Sequence, residues 1–248
     1  MSNLRFHSAE NLKIGAIFKL SENAATHATR VLRLNVGDTI KLFNGDGFDY
    51  NCELLSVKKS EVIASITSSQ AMKNESPLNI TLLQGISSGD RMDYTIQKAV
   101  ELGVNQIQPI ATARSVVKLS AERAAKRLEH WRNVVVAACE QSGRAFVPTV
   151  AAPLTLSAWL QANNHAGAGD ANLRILLNPV GAIRLAKLPT PNANIELLIG
   201  AEGGLSEAEI DTALSQGFQS VVLGARILRT ETAALVAIAA INTLWGDF

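Results

Sequence analysis

The chain has 248 residues, of which 47% are hydrophobic and 18% charged, and a formal net charge of +1. That length suits one large domain or two, and the near-neutral balance argues against a protein that coats nucleic acid through bulk charge. No apolar run reaches the roughly 18 residues needed to span a bilayer, and the polar start lacks a signal peptide's apolar stretch, so the protein is read as cytoplasmic. Cys52 and Cys139 stand alone, without C-x-x-C or a nearby His. Buried thiols are expected, with no disulfide and no metal site.

In chain order, residues 16–20, 39–43, 51–55 and 61–66 are short runs rich in β-formers, separated by turn signals. Asn44-Gly45-Asp46-Gly47 is a hairpin signal, and Val36-Gly37-Asp38 marks a tight turn before a strand. Between the first two strands, residues 27–34 predict one short helix. On it His27, Arg30 and Arg33 can meet RNA phosphates, or serve only as a solvated face. Residues 70–77 are polar and end in Pro77, which predicts a linker.

Beyond that point strands alternate with helices, an α/β pattern. Residues 79–84 predict a strand, 90–102 a helix closed by Gly103, and 104–111 the next strand. The helix gathers Met92, Ile96, Ala99 and Val100 on one face and leaves Arg91, Lys98 and Glu101 for polar work. Residues 114–118 then lead to a long helix, 120–141. The window 90–144 holds nine Lys and Arg against six Asp and Glu, a mild local excess of positive charge. A strand at 147–151, a helix at 156–163, a flexible loop over 163–171 and a strand at 173–177 ending in Asn178-Pro179 complete the middle.

The C-terminal part holds two strand-loop-helix units in a row. Ile195 to Ile199 reads as a strand buried on both faces, followed by Gly200-Ala201-Glu202-Gly203-Gly204 and a capping box at Ser206 to Glu209 that opens a helix reaching about Gln216. The second unit is a strand at 218–223, a loop at 224–229 and an apolar helix from Thr230 to about Trp245. In parallel sheets ligands sit beyond the carboxyl ends of the strands, so these loops predict the walls of a small-molecule pocket. G-x-G-x-x-G and G-x-x-x-x-G-K-[ST] are both missing from the chain, which removes the ordinary dinucleotide and P-loop readings.

IGAEGGLSEAEI followed by VVLGARILRTETAA resembles the C-terminal signature of the bacterial 16S ribosomal RNA uracil-N3 methyltransferases, members of the knotted SPOUT class. HATRVLRL followed by VGD and FNGDG is similar to the family's PUA-like RNA-binding domain, and GDRMDYTIQKAVELGV and ACEQSGR resemble its first-helix and mid-chain motifs. The resemblance implies a small PUA-like β-barrel over residues 1–72 and a knotted parallel-sheet methyltransferase domain over 73–248. Loops 177–179, 200–204 and 223–229 would grip S-adenosylmethionine. The cofactor-binding positions so implied are Leu177, Asn178, Gly200, Glu202, Gly203, Leu223, Gly224, Ile227, Leu228 and Thr230. His27, Arg30, Arg33, Arg91, Lys98, Arg114 and Arg144 are the RNA-binding ones. The implied partners are 16S ribosomal RNA or the assembled small subunit, and a second copy of the chain. Ala201 stands where Pro is usual in the family, Leu205 where an aromatic is common, Ser88 where Lys is frequent and Ala113 where Glu is often found.

Uracil N3 carries a proton at neutral pH, so methylation there needs a base and a group to spread the resulting charge. Arg229 is the expected cation. Glu231 and Glu140 are both expected as candidates for the base, and the sequence does not choose between them. No His follows His165 and no Cys follows Cys139, so a catalytic triad or thiolate has no residues in the closing region. Two other readings remain: a related enzyme acting on a ribose 2′-hydroxyl or another base, and a non-catalytic RNA-binding assembly factor.

Overall fold

The computed structural model describes residues 4–115, 120–163, 172–180, 183–192 and 194–248. Two sequence expectations fall partly or largely outside them, residues 116–118 of the 114–118 stretch and residues 164–171 of the loop expected over 163–171. The chain divides into two compact units, Met1–Glu75 with Val136–Val147, and Ser76–Val135 with Pro148–Phe248.

The first unit is built on a five-stranded sheet. Its strands are β1 (Arg5–His7), β2 (Ile17–Lys19), β3 (Thr39–Phe43), β4 (Phe48–Lys58) and β5 (Glu61–Ala71), in the order β1-β3-β4-β5-β2. β1 pairs parallel with β3 and the remaining pairs are antiparallel. Period-two alternation buries Val62, Ala64 and Ile66 of β5. A register shift in β4 between Asn51 and Cys52 changes the phase, so Asp49 faces inward on one side of it and Cys52 and Leu54 on the other. Cys52, Leu54, Val62, Ala64 and Ile66 pack with Phe6, Ile40 and Leu42 into one core.

Buried Asp49 is compensated. It accepts hydrogen bonds at 2.6 and 3.2 Å from the Arg5 guanidinium, which also donates to the Cys139 carbonyl at 2.7 Å and lies 4.3 Å from the centre of the Phe43 ring. The hairpin forms where Asn44-Gly45-Asp46-Gly47 predicted it. Asn44 and Asp46 side chains accept from the backbone N–H groups of Asp46 and Phe48, and both glycines take positive φ, 93° and 91°. The expected helix at 27–34 is displaced. Ser21 caps a short α1 (Glu22–Thr26), and residues 27–31 form a π-turn that ends before Arg33, held at φ 55°. β1 was not foreseen, and the expected linker at 70–77 is held in place. β5 runs to Ala71, Asn74 donates to the Gly143 carbonyl at 3.0 Å, and Glu75 takes a two-pronged pair from Arg144.

The second unit is α/β, as the alternation predicts. Its strands are β6 (Asn79–Gly85), β7 (Gln106–Ala111), β8 (Thr149–Val150), β9 (Leu154–Thr155), β10 (Leu173–Leu177), β11 (Ile183–Arg184), β12 (Asn194–Ile199) and β13 (Gln219–Val222). They pair parallel in the order β11-β13-β10-β12-β6-β7-β8, with β9 also on β7. The helices are α2 (Asp90–Glu101), α3 (Ala121–Ser142), α4 (Leu156–Ala162), α5 (Glu207–Ser215) and α6 (Thr230–Trp245). α3 serves both units, its last turns from Val136 counting with the first. The two-residue strands β9 and β11 carry too little pattern to be predicted.

All of Ile195–Ile199 is buried, as a strand covered on both faces should be. Leu83, Ile110, Leu176 and Leu198 pack with Trp159 and Leu160 of α4 and Ala213 of α5. α2 packs against α6, with Met92, Ile96, Ala99 and Val100 buried as their helical spacing requires. Cys52 and Cys139 are both free and buried, and burial pushes their thiols up to about 11 and about 12.

Candidate active site

β13, β10 and β12 lie side by side and run the same way, so the loops that leave their carboxyl ends converge. They wall a cleft of about 710 Å³, a size typical of small-molecule sites. Leu177 and Asn178 come from the end of β10, Gly200 to Leu205 from the loop after β12, and Leu223, Gly224 and Arg226 to Arg229 from the loop after β13. Leu177, Ile199, Leu205, Val221 and Leu228 supply an apolar wall, and Arg91, Arg114, Arg226 and Arg229 place cations on the lining.

Glycine is required here for close approach. A Cβ on Gly85 would collide with the backbone of Gly200 and Ala201, and one on Gly203 would lie 2.8 Å from the Arg114 carbonyl oxygen. Gly204, at φ 70°, closes a tight turn by donating to the Ala201 carbonyl at 2.8 Å. The capping box then starts α5. Ser206 Oγ accepts from the Glu209 N–H at 3.3 Å, while the Glu209 carboxylate accepts from the Ser206 N–H at 2.8 Å and from the Ala113 N–H at 2.8 Å. One carboxylate thereby joins the β12 loop to the loop after β7.

Glu202 makes a second such joint. Its Oε1 accepts from the Ser88 N–H and hydroxyl, each at 2.9 Å, and from Arg91 at 3.3 Å, while its Oε2 is buried with no hydrogen-bond partner among the described residues. Partial burial raises the carboxyl, but the Ser88 hydrogen bonds and the Arg91 charge outweigh it and hold the group below its ordinary range. Ser88, which departs from the family's frequent Lys, is thus used as a donor. At the start of α6 the Arg229 side chain forms no cap, and Glu231 in the first turn lines the cleft with a buried Oε2 that has no hydrogen-bond partner among the described residues.

All ten expected cofactor positions line this cleft, together with Arg229, Glu231, Arg91 and Arg114. Thr230 faces the loops through its hydroxyl, which donates to the Gly200 carbonyl at 2.6 Å. The other expected positions lie elsewhere. Glu140 belongs to the first unit, where it accepts from the His7 N–H at 2.9 Å and burial raises its carboxyl. His27, Arg30 and Arg33 are exposed on that unit. Lys98 is paired with Glu101 at 2.7 Å. Arg144 is buried, and its guanidinium is engaged by Glu75 at 3.1 Å. Arg226, exposed on the lining, was missed, although the loop signature GARILR contains it.

A parallel sheet with a glycine-loop cleft at its carboxyl edge, preceded by a small β unit, is the architecture of an RNA methyltransferase with a PUA domain. Residues 74–242 match the family model of the RNA methyltransferase domain, and residues 20–67 that of the RNA methyltransferase PUA domain. The chain belongs to the ribosomal RNA small subunit methyltransferase E family. It is 34% identical to the Bacillus subtilis member over 230 residues, 91% of this chain and 89% of that one. Against the Buchnera aphidicola member from Acyrthosiphon pisum it is 31% identical over 98% of this chain and 94% of that one. Among solved structures, the Neisseria gonorrhoeae member bound to S-adenosylmethionine superposes with a TM-score of 0.89 at 44% identity, covering 98% of both chains.

Proposed function

We propose that the protein transfers a methyl group from S-adenosylmethionine to N3 of a uridine in 16S ribosomal RNA of the small subunit. The observation that carries this reading is the three-loop cleft, of a size that suits the cofactor, in a chain similar over 98% of its length to the Neisseria gonorrhoeae protein bound to S-adenosylmethionine. The residues present fit that cofactor. Aliphatic side chains offer a wall for a purine and ribose, the glycine turns bring backbone groups within reach, and Glu202, Glu207 and Glu231 suit a cation.

When bound, the cofactor supplies a methyl group already activated on a sulfonium, so the protein's task is alignment and exclusion of water. Arg229, exposed at the entry to α6, stabilises the charge left on the uracil carbonyls when N3 loses its proton. Of the two carboxylates expected as base, Glu231 is the one on the cleft lining, and we assign it the proton. Residues 1–72 form the RNA-binding part, with His27, Arg30 and Arg33 on phosphates, and 73–248 the methyltransferase part, knotted about the three loops. Val236 and Leu244 leave apolar surface on α6, which a second copy of the chain covers in a cytoplasmic homodimer.

The test is methyl transfer from labelled S-adenosylmethionine to small subunits lacking their native modification, with the product nucleoside identified by mass spectrometry. N3-methyluridine is expected, with kcat reduced about 100-fold or more in Arg229→Ala, the loss that follows removal of one charge-stabilising group. A different methylated nucleoside would replace the substrate, and cofactor binding without transfer to any RNA would replace the enzyme with a binding factor.

A further inference from the structure

β6 reads Asn79-Ile-Thr-Leu-Leu-Gln-Gly85, and Gln84, next to its end, is a fully buried amide among aliphatic neighbours. Its Oε1 is buried with no hydrogen-bond partner among the described residues, so the nitrogen end carries all of the amide's hydrogen bonds found there. Its Nε2 donates to the Gly85 carbonyl at 3.0 Å and to Thr230 Oγ1 at 2.9 Å. The Gly85 carbonyl can only accept, which fixes which end of the amide faces it. Thr230 has a single hydroxyl proton. Because the amide nitrogen has no acceptor to offer, that proton goes to the Gly200 carbonyl, at 2.6 Å. The result is a one-way relay, Gln84 to Thr230 to Gly200.

The relay joins three elements that meet below the cleft. Gly200 opens the β12 loop, Thr230 is the first residue of α6 and follows the 223–229 loop, and Gln84 anchors both from β6. Beside it Gly85 touches the Gly200 and Ala201 backbone so closely that no Cβ fits. Gln84 itself does not line the cleft.

We propose that Gln84 is a positioning residue for methyl transfer: by orienting the Thr230 hydroxyl it locks the 200–204 loop to the start of α6 and keeps the cofactor cleft formed. The inference rests on the reading of that cleft as an S-adenosylmethionine site. Gln84→Met removes the donor and keeps the side-chain length. Gln84→Glu puts an acceptor where the donor was, so the Thr230 proton is drawn away from Gly200. Thr230→Val removes the hydroxyl at constant shape, and Thr230→Ser retains it.

The experiment is calorimetric titration of S-adenosylmethionine into wild type, these variants and the Gln84→Met/Thr230→Val double variant. Melting temperature and amide hydrogen exchange of residues 201–204 are followed without cofactor. Gln84→Met and Thr230→Val should each weaken binding roughly five- to tenfold, the worth of one net hydrogen bond. Gln84→Glu should weaken it at least as much, and Thr230→Ser, which keeps the hydroxyl, should lose less than Thr230→Val. The double variant should be little worse than either single one, because both break the same relay. Faster exchange at 201–204 should accompany the loss. Unchanged affinity in Gln84→Met and Thr230→Val, losses that add in the double variant, or a fall in melting temperature with affinity intact would overturn the proposal. If wild type itself failed to bind, the cofactor reading would fall, and the exchange rates at 201–204 would still decide the relay.

Discussion

Two glutamates show how position alone sets a carboxylate's chemistry. Glu202 is held below its ordinary range by the hydrogen bonds from Ser88 and the Arg91 charge, so it stays ionised and ties two loops together. Glu140 is shifted upward, because burial penalises its charge more than the His7 N–H and the charges nearby relieve it. The folded state therefore binds a proton at Glu140 more readily than the unfolded chain does. Stability linked to this group is fullest below the ordinary value of 4.5 and is lost as pH rises through the elevated folded value. Glu140→Gln keeps an acceptor for His7 and removes the charge. It should raise the melting temperature at pH 7 by a few degrees, and the advantage should shrink below pH 4.5. Equal melting temperatures at both pH values would contradict this account. Glu140 was legible in the sequence as a polar residue at a helix end, but its partner was not, since His7 lies 133 positions away on a strand of three residues.

Among the elements, β10 carries a buried ion pair at the end opposite the cleft. Arg174 donates to Glu196 of β12 at 2.7 Å, to the Gln216 carbonyl at the end of α5 at 2.8 Å and to the Asn163 carbonyl at the end of α4 at 2.6 Å. One guanidinium thus satisfies two helix C-termini, where a cation also suits the dipoles. Arg174→Met should cost on the order of 3–5 kcal/mol in denaturant unfolding, because it leaves the buried Glu196 charge without its cation, with the Asn172 amide still donating to it at 2.9 Å. Arg174→Met/Glu196→Leu should recover most of that loss, and cofactor affinity should hold in both. A double variant no more stable than the single one would show that packing of the Arg stem, and not the pair, dominates. The strand runs at 173–177 and 195–199 were readable from their apolar pattern, and the cleft followed from the loops behind them. Arg174 and Glu196 were hidden inside those same runs, as Gln84 was in β6. A single polar residue in an apolar strand signals a buried partner without naming it.

At the scale of the whole molecule, RNA binding must come from local charge, since the net charge is +1. His27, Arg30 and Arg33 are exposed on the first unit, around the π-turn at residues 27–31. Arg30→Ala and Arg33→Ala should each raise KM for the ribosomal substrate and lower the salt dependence of RNA binding by about 0.7–0.9 in log-log slope, the contribution of one phosphate contact. S-adenosylmethionine affinity should not move, and a salt slope equal to wild type would remove these residues from the interface. The make-up of the first unit was the least legible feature, because a helix predicted as one element supplies residues to two units. Val136–Val147 belongs with Met1–Glu75 and contributes the Cys139 carbonyl that the Arg5 guanidinium requires. During synthesis the first unit therefore cannot close when its own strands leave the ribosome. It waits for roughly 70 further residues, several seconds at about 5–20 residues per second, and by then four strands and helices of the second unit are already exposed. The two units are bound in time, and a stop or cut after Glu75 leaves the earlier one unfinished.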